Sequence, residues 1–297
     1  MNSGPYGVLL TPFDEAGNIR FDALRKQIDR LTGSGLTGIV ICGTTGEFIQ
    51  MTAEENIALM ECAAECANGR LEVIAGACAA NLRDTIRLAE AAAHLRFPAV
   101  LVCPPYYTPL SQGDIATFYT KLAEVADVNI LLYNIPAFTT AIAPDTLRRL
   151  IQMPRIIGIK DSSGDMKNII GSVSLSRRER PDFVVFTGTD QIILPSLAAG
   201  CSGSMTALSA LLPELNTAIY DAFSRQDWQK ARLAQLKTIE LLRLAESVVF
   251  PAGYKIIGAL TGYETGEARQ VIPVKDTSAY NEAERTMKAV LKELNIL

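Results

Sequence analysis

The feature that most limits what this chain can fold into is a rhythm repeated eight times: a short apolar run rich in Val and Ile, then a longer stretch of helical period. The runs lie near 5–11 (PYGVLLT), 37–42 (TGIVIC), 71–77 (LEVIAGA), 98–103 (PAVLVC), 129–133 (NILLY), 156–160 (IIGIK), 183–188 (FVVFTG) and 201–205 (CSGSM). Helical stretches occupy 21–34, 53–67, 81–95, 112–126, 144–152, 165–178, 190–198 and 212–224. Short runs this uniformly apolar read as parallel strands covered on both faces. Eight strands, each followed by a helix, match the count of an α/β fold of the (β/α)8 TIM barrel type. An open doubly wound sheet also alternates strand and helix, so the count alone leaves closure open. The polar residues favour closure. Thr11, residues 43–47, Tyr106, Tyr107, Tyr133, Lys160 and residues 188–190 follow the C-terminal ends of different runs, and in a barrel those ends converge on one pocket.

Beyond about residue 225 the strands stop. DWQKARLAQLKTIELLRLAE, GYKIIGALTG and NEAERTMKAVLKELNIL read as three successive helices. The expected organisation is a catalytic barrel over 1–225 and a C-terminal three-helix appendix over 226–297.

Composition narrows the function. With 48% hydrophobic residues and a formal net charge of -4, the chain of 297 residues has an ample core and no broad basic face, so nucleic acid is not an expected partner. The six cysteines (Cys42, Cys62, Cys66, Cys78, Cys103 and Cys201) contain no CxxC pair and mostly lie in apolar segments, which suits reduced thiols in the cytoplasm. Cys62 and Cys66 can share a helix face, but zinc needs two more ligands beside them, and packing is the better reading. The start MNSGPYGVLLTPF lacks the basic, then apolar, pattern of a signal peptide, and no apolar run reaches the ~18 residues of a membrane span. No membrane is an expected partner. A single histidine, His94, removes a Ser-His-Asp triad and any multi-histidine metal site. Neither metal nor cofactor is expected, and protons must be moved by other side chains.

Three groups of residues have the chemistry for that. Lys160 ends the apolar run IIGIK, where an ammonium is out of place unless paired or at the water boundary. Desolvation there favours the free amine, a nucleophile toward carbonyls, although a lysine at a strand end is often simply solvated. The turn CGTTGEF, 42–48, sets two threonines between two glycines, so that backbone N–H groups and hydroxyls can face a small carboxylate; an ordinary capped strand-to-helix turn reads the same way. Tyrosines in CPPYYTP and LYNIPA can donate and accept, forming a proton relay with threonine hydroxyls, although singly each can be a packing residue.

Together, GTTGE after the second run, PPYY after the fourth, YNIP after the fifth, KDSSGD after the sixth and GTD after the seventh resemble the dihydrodipicolinate synthase and N-acetylneuraminate lyase family. The resemblance extends over essentially the whole chain. It implies a class I lyase in which a lysine condenses with the keto group of pyruvate or a longer 2-oxo acid. Lys160 is then the Schiff-base lysine, Tyr133 the general acid/base, Thr44 the link from Tyr133 to Tyr107, and Thr44 with Thr45 the holders of the 2-oxo acid's carboxylate. It also implies a homotetramer, a dimer of dimers, in which Tyr107 enters a neighbouring subunit's site.

The sequence departs from both well-known branches. Where dihydrodipicolinate synthases commonly carry an arginine for the aldehyde's carboxylate, YNIPAFTT has Phe138, which cannot make that bidentate contact. Gln191 stands where the sialic acid lyase branch tends to have Glu, and Ala210 near the place of a common asparagine. The expectation is an aldolase or dehydratase acting on a 2-keto-3-deoxy sugar acid or related 4-hydroxy-2-oxo acid, with an aldehyde or sugar acid as second substrate. Gly188, Asp190, Met205 and Phe138 are expected in the substrate pocket, and Thr139, Thr140, Thr206 and Ser209 are positioned to contribute hydroxyl contacts. Residues 161–165 are read as a turn and helix cap without chemistry. The alternatives are activity as dihydrodipicolinate synthase or N-acetylneuraminate lyase, a non-catalytic 2-oxo acid binder, and a phosphate-binding barrel isomerase.

Overall fold

The computed structural model describes residues 1–269 and 278–297. Its eight runs are eight parallel strands: β1 (Gly4–Val8), β2 (Gly38–Ile41), β3 (Glu72–Gly76), β4 (Ala99–Val102), β5 (Asn129–Asn134), β6 (Ile156–Asp161), β7 (Val184–Thr187) and β8 (Gly203–Thr206). They hydrogen-bond in sequence order, and β1 pairs with both β2 and β8, so the sheet closes. The first strand is shorter than the apolar run that announced it, because 9–11 leave the sheet and Thr11 turns its hydroxyl onto the Gly46 carbonyl at 2.6 Å.

Why the strands are apolar throughout is visible in their two faces. Tyr6, Val8, Val40, Ile74, Leu101, Leu131, Phe186 and Met205 fill the barrel interior as one cluster. Their sequence neighbours Ile39, Ile41, Val73, Val100, Val102, Ile130, Leu132 and Val185 face outward under the helices. With water on neither face, both halves of the period-2 pattern become hydrophobic.

The helices that cover this surface are α1 (Phe21–Leu31), α2 (Ala53–Ala67), α3 (Leu82–His94), α4 (Gln112–Val125), α5 (Pro144–Leu150), α6 (Met166–Glu179), α7 (Ile193–Ala199), α8 (Ala207–Leu211) and α9 (Pro213–Ser224). In α1, Leu24, Ile28 and Leu31 repeat at the spacing of one buried stripe. Capping boxes at Thr52–Glu55 and Ser111–Asp114 satisfy the first N–H groups of α2 and α4. The helix expected over 190–198 begins as a 3-10 turn at Asp190–Ile192, and the short α8 precedes α9 without having been expected.

Helices α10 (Trp228–Ala245), α11 (Ala252–Leu260) and α12 (Ser278–Glu293) follow. They share a core with the barrel: Leu241, Leu242, Ile257 and Met287 pack in one cluster with Leu10, Leu208 and Leu211. None of the helices among the described residues is long and apolar enough to cross a membrane.

Candidate active site

Barrel closure brings the C-terminal strand ends together. Lys160, the penultimate residue of β6, lies directly beside Tyr133 of β5 in the parallel register. Its ammonium is 4.5 Å from the centre of the Tyr133 ring, and only 3% of the residue is exposed. No carboxylate forms an ion pair with it among the described residues. Burial therefore dominates and pulls the amine down to about 8, with Cys78 and Asp190 opposing the shift. Gly188, just past β7, makes room: a side chain there would collide with Ser162 and with the Lys160 stem.

Tyr133 is equally buried, which pushes its phenol well above the ordinary tyrosine range. Hydrogen bonds from the Thr44 and Ser162 side chains counter part of that shift. The Thr44 and Tyr133 hydroxyls lie 3.3 Å apart, within hydrogen-bonding reach. Thr44 is held by its loop. Glu47 N–H donates to the Thr44 carbonyl at 3.0 Å, and Glu47 itself takes the left-handed conformation with φ 59°.

The Glu47 carboxylate is buried and bound by two groups from the end of the chain. Lys255 of α11 reaches it at 2.8 Å, and the Arg269 backbone N–H donates to it at 2.8 Å. Lys255 also donates to the Thr11 and Glu267 carbonyls. Both partners of this ion pair are almost fully buried, with side-chain exposures of 4% and 3%.

Lys160, Tyr133, Thr44, Thr45, Gly188, Asp190, Met205 and Phe138 line one cavity of about 290 Å³. Tyr107 does not join them. It lines the adjoining cavity of about 420 Å³ with Thr44, Tyr106 and Phe138, and is fully exposed at φ 80°, a strained value for a tyrosine. Asp190 lines the first cavity, but its carboxylate is engaged with the scaffold, accepting from Leu208 N–H at 3.5 Å and the Asn216 amide at 3.4 Å. Thr206 and Ser209 bond each other at 2.6 Å in a buried cluster with Asn216. Thr140 accepts from Leu110 N–H, and Thr139 lines the adjoining cavity.

Several lining residues were not anticipated. Ser162 and Ser163 come from the stretch read only as a turn. Asp161 organises that turn by accepting from the Asn134 amide at 2.8 Å and Ser163 N–H at 2.8 Å, while Asp165 caps α6. Leu242, Glu246, Phe250 and Tyr254 come from the C-terminal helices and the segment joining them. Ser162, adjoining Lys160 and Asp161 in the sequence, carried a signal. The C-terminal residues carried none, since an amphipathic helix does not declare which surface it will cover.

A closed parallel barrel with a desolvated lysine and a buried tyrosine at its C-terminal mouth has the architecture of a barrel lyase. The chain belongs to the dihydrodipicolinate synthetase family, which it matches over residues 1–290, and it is a class I aldolase/lyase of that family. It is 33% identical over 290 residues to the 4-hydroxy-tetrahydrodipicolinate synthase of Bacillus velezensis, covering 96% of this chain and 97% of that one. Among solved structures it resembles a prophage protein of the dihydrodipicolinic acid synthase family from E. coli K12 in complex with pyruvate, at a TM-score of 0.92, 23% identity and 99% coverage of both chains. It also resembles the N-acetylneuraminate lyase of Mycoplasma synoviae, with a TM-score of 0.86, 22% identity and 97% coverage of both chains.

Proposed function

We propose that the protein forms a Schiff base between Lys160 and the keto carbon of pyruvate or a longer 2-oxo acid, and cleaves, joins or dehydrates a 2-keto-3-deoxy sugar acid or related 4-hydroxy-2-oxo acid. The observation that carries this reading is the buried Lys160 amine, poised at about 8 and lying 4.5 Å from the Tyr133 ring. A pure binder has no use for an amine held close to its neutral form.

In this reading the substrate carboxylate sits against Thr44 and Thr45. The free amine adds to the C2 carbonyl, and the carbinolamine loses water to give an iminium. In cleavage, Tyr133 takes the proton of the C4 hydroxyl as its own phenol proton passes along Thr44 toward water, the C3–C4 bond breaks, and its electron pair is received by the iminium as an enamine. The aldehyde leaves, C3 is protonated by the same route in reverse, and water releases pyruvate and the free lysine. In dehydration, the relay takes a proton from C3 to give the enamine and returns one to the departing C4 hydroxyl, which leaves as water; hydrolysis of the resulting iminium frees the product and the lysine. Both routes need a proton carrier at the tyrosine, and the Thr44 hydroxyl at 3.3 Å supplies its next member.

The exposed, strained Tyr107 supports an assembled enzyme, a homotetramer made as a dimer of dimers, in which Tyr107 extends the relay of a neighbouring site. The reading is tested by incubating the protein with pyruvate, reducing with borohydride and mapping the modified peptide. A pyruvate adduct on Lys160 is expected. Absence of an adduct with pyruvate and with longer 2-oxo acids sinks the proposal. Sedimentation velocity tests the tetramer.

A further inference from the structure

Charge accounting along the cavity leads beyond the Schiff base. A 2-oxo acid brings one carboxylate, which the reading above sets against Thr44 and Thr45. What surrounds the other end of the substrate decides which acids are accepted. Among the described residues lining the cavity, Lys160 is the only cationic side chain, and it is committed to the keto carbon. No arginine, second lysine or histidine lines it to receive another carboxylate, and the adjoining cavity adds none.

The charged group that reaches the cavity from the C-terminal helices is an acid. Glu246, which directly follows α10, stands at the rim, and its carboxylate accepts from the Gln191 amide at 3.4 Å. Gln191 directly follows Asp190 at the start of the chain's path into α7. No cation pairs with Glu246 among the described residues. The remaining lining combines apolar groups, such as Phe138 and Leu242, and uncharged donors and acceptors with a second acid, Asp190, whose carboxylate is held by Leu208 N–H and the Asn216 amide. One of the uncharged groups, the buried Thr189 hydroxyl, meets no partner among the described residues. Such a lining suits a short chain carrying hydroxyls, whose C–H groups can lie on apolar walls while its O–H groups meet Thr189, Gln191 and Glu246.

We infer that Glu246 is a specificity-determining residue, and that the acid this enzyme processes has an uncharged, hydroxylated tail rather than a second carboxylate. The inference rests on the Schiff-base reading, and it makes α10 part of substrate selection. A terminal carboxylate would come to lie beside the Glu246 carboxylate with no cation to receive it. A neutral tail instead donates its hydroxyl protons to that same carboxylate.

The test separates charge from shape and is independent of whether the enzyme cleaves or dehydrates. Wild-type protein is given 2-oxoglutarate or its 5-methyl ester, whose tail is uncharged, and iminium formed at Lys160 is reduced with cyanoborohydride and quantified by mass. Each rate is divided by that of pyruvate on the same protein. The neutral ester is expected to be trapped on the order of tenfold faster, as for two unit charges ~6 Å apart at an effective dielectric of ~40. Glu246→Gln is expected to bring the ratio near one, and Glu246→Lys to invert it. High salt is expected to narrow the wild-type ratio.

Equal trapping of the two acids by the wild type overturns the inference, as does a ratio that neither substitution moves. If pyruvate itself gives no adduct on Lys160, the Schiff-base reading fails and takes this inference with it. A pyruvate adduct without preference for the neutral ester sinks the inference alone. A parallel comparison of a 2-keto-3-deoxyhexonate with 4-hydroxy-2-oxoglutarate carries the same expectation to acids of the reacting type.

Discussion

Replacing Lys160 by methionine should abolish the enzyme and make the protein more stable. The side chain is 3% exposed and its amine is lowered from 10.5 to about 8, mainly by burial. A lowering from 10.5 to about 8 means that holding a protonated lysine there costs about 3 kcal/mol. The sign follows from linkage. Between pH 8 and 10.5 the folded state binds fewer protons at this group than the unfolded chain, so stability rises with pH across that window. The cost is full below about pH 8 and falls to ~1 kcal/mol at pH 10. Methionine keeps the length and removes the charge. With an unfolding entropy of ~2.1 cal/mol/K per residue, a chain of 297 residues converts ~3 kcal/mol into a melting-temperature gain of ~5 °C. Thermal melts of both proteins at pH 7 and pH 10 provide the assay. The expected result is a gain at pH 7 that shrinks severalfold at pH 10. A variant no more stable than wild type at pH 7, or a gain independent of pH, would refute the claim that Lys160 is a strained buried amine.

Other expectations follow from the same geometry. The rate of pyruvate trapping should climb with pH and level off near pH 8, where Lys160 becomes neutral; a climb continuing past pH 10 would mark an ordinary lysine. Tyr133→Phe should retain reductive trapping with pyruvate while turnover falls ~10²–10⁴-fold, the range for loss of a general acid/base, and equal loss of both would remove the tyrosine from the proton step. Lys255→Met leaves Glu47 buried without its cation and should cost ~3–5 kcal/mol by denaturant titration, with Lys255→Met/Glu47→Leu recovering much of it. If the single variant is as stable as wild type, the pair does not hold the loop.

How much of this was legible in the sequence depended on whether the information was local. Closure could be read because six of the eight strands carry polar residues at or just past their C-terminal ends, and Tyr133 and Lys160, 27 positions apart, need only adjacent strands to meet. The extra helix α8 was hidden, because ALSAL is too short to show a period and directly continues β8. Asp190, Thr206 and Ser209 read as a row of substrate-facing polar groups, yet Asn216 from α9 sits among them and makes a buried hydrogen-bonded cluster. Nothing near residue 190 announces a partner 26 positions on. Glu246, Tyr254 and Lys255 were out of reach for a further reason. A helix pattern reports that one face is buried, and the identity of the covered surface is a long-range fact.

The bond between Lys255 and the GTTGE turn has a consequence for how this molecule is made. Synthesis delivers Lys160, Tyr133 and the hydroxyl turn in the first 160 residues, then waits almost a hundred more for the cation that fastens the turn and the segment that finishes the cavity rim. A nascent or clipped chain can therefore possess every reacting group and still hold an unfastened mouth open to water. A finished cavity arrives only with the C-terminal helices, which makes that end of the chain a check on completeness built into the site itself.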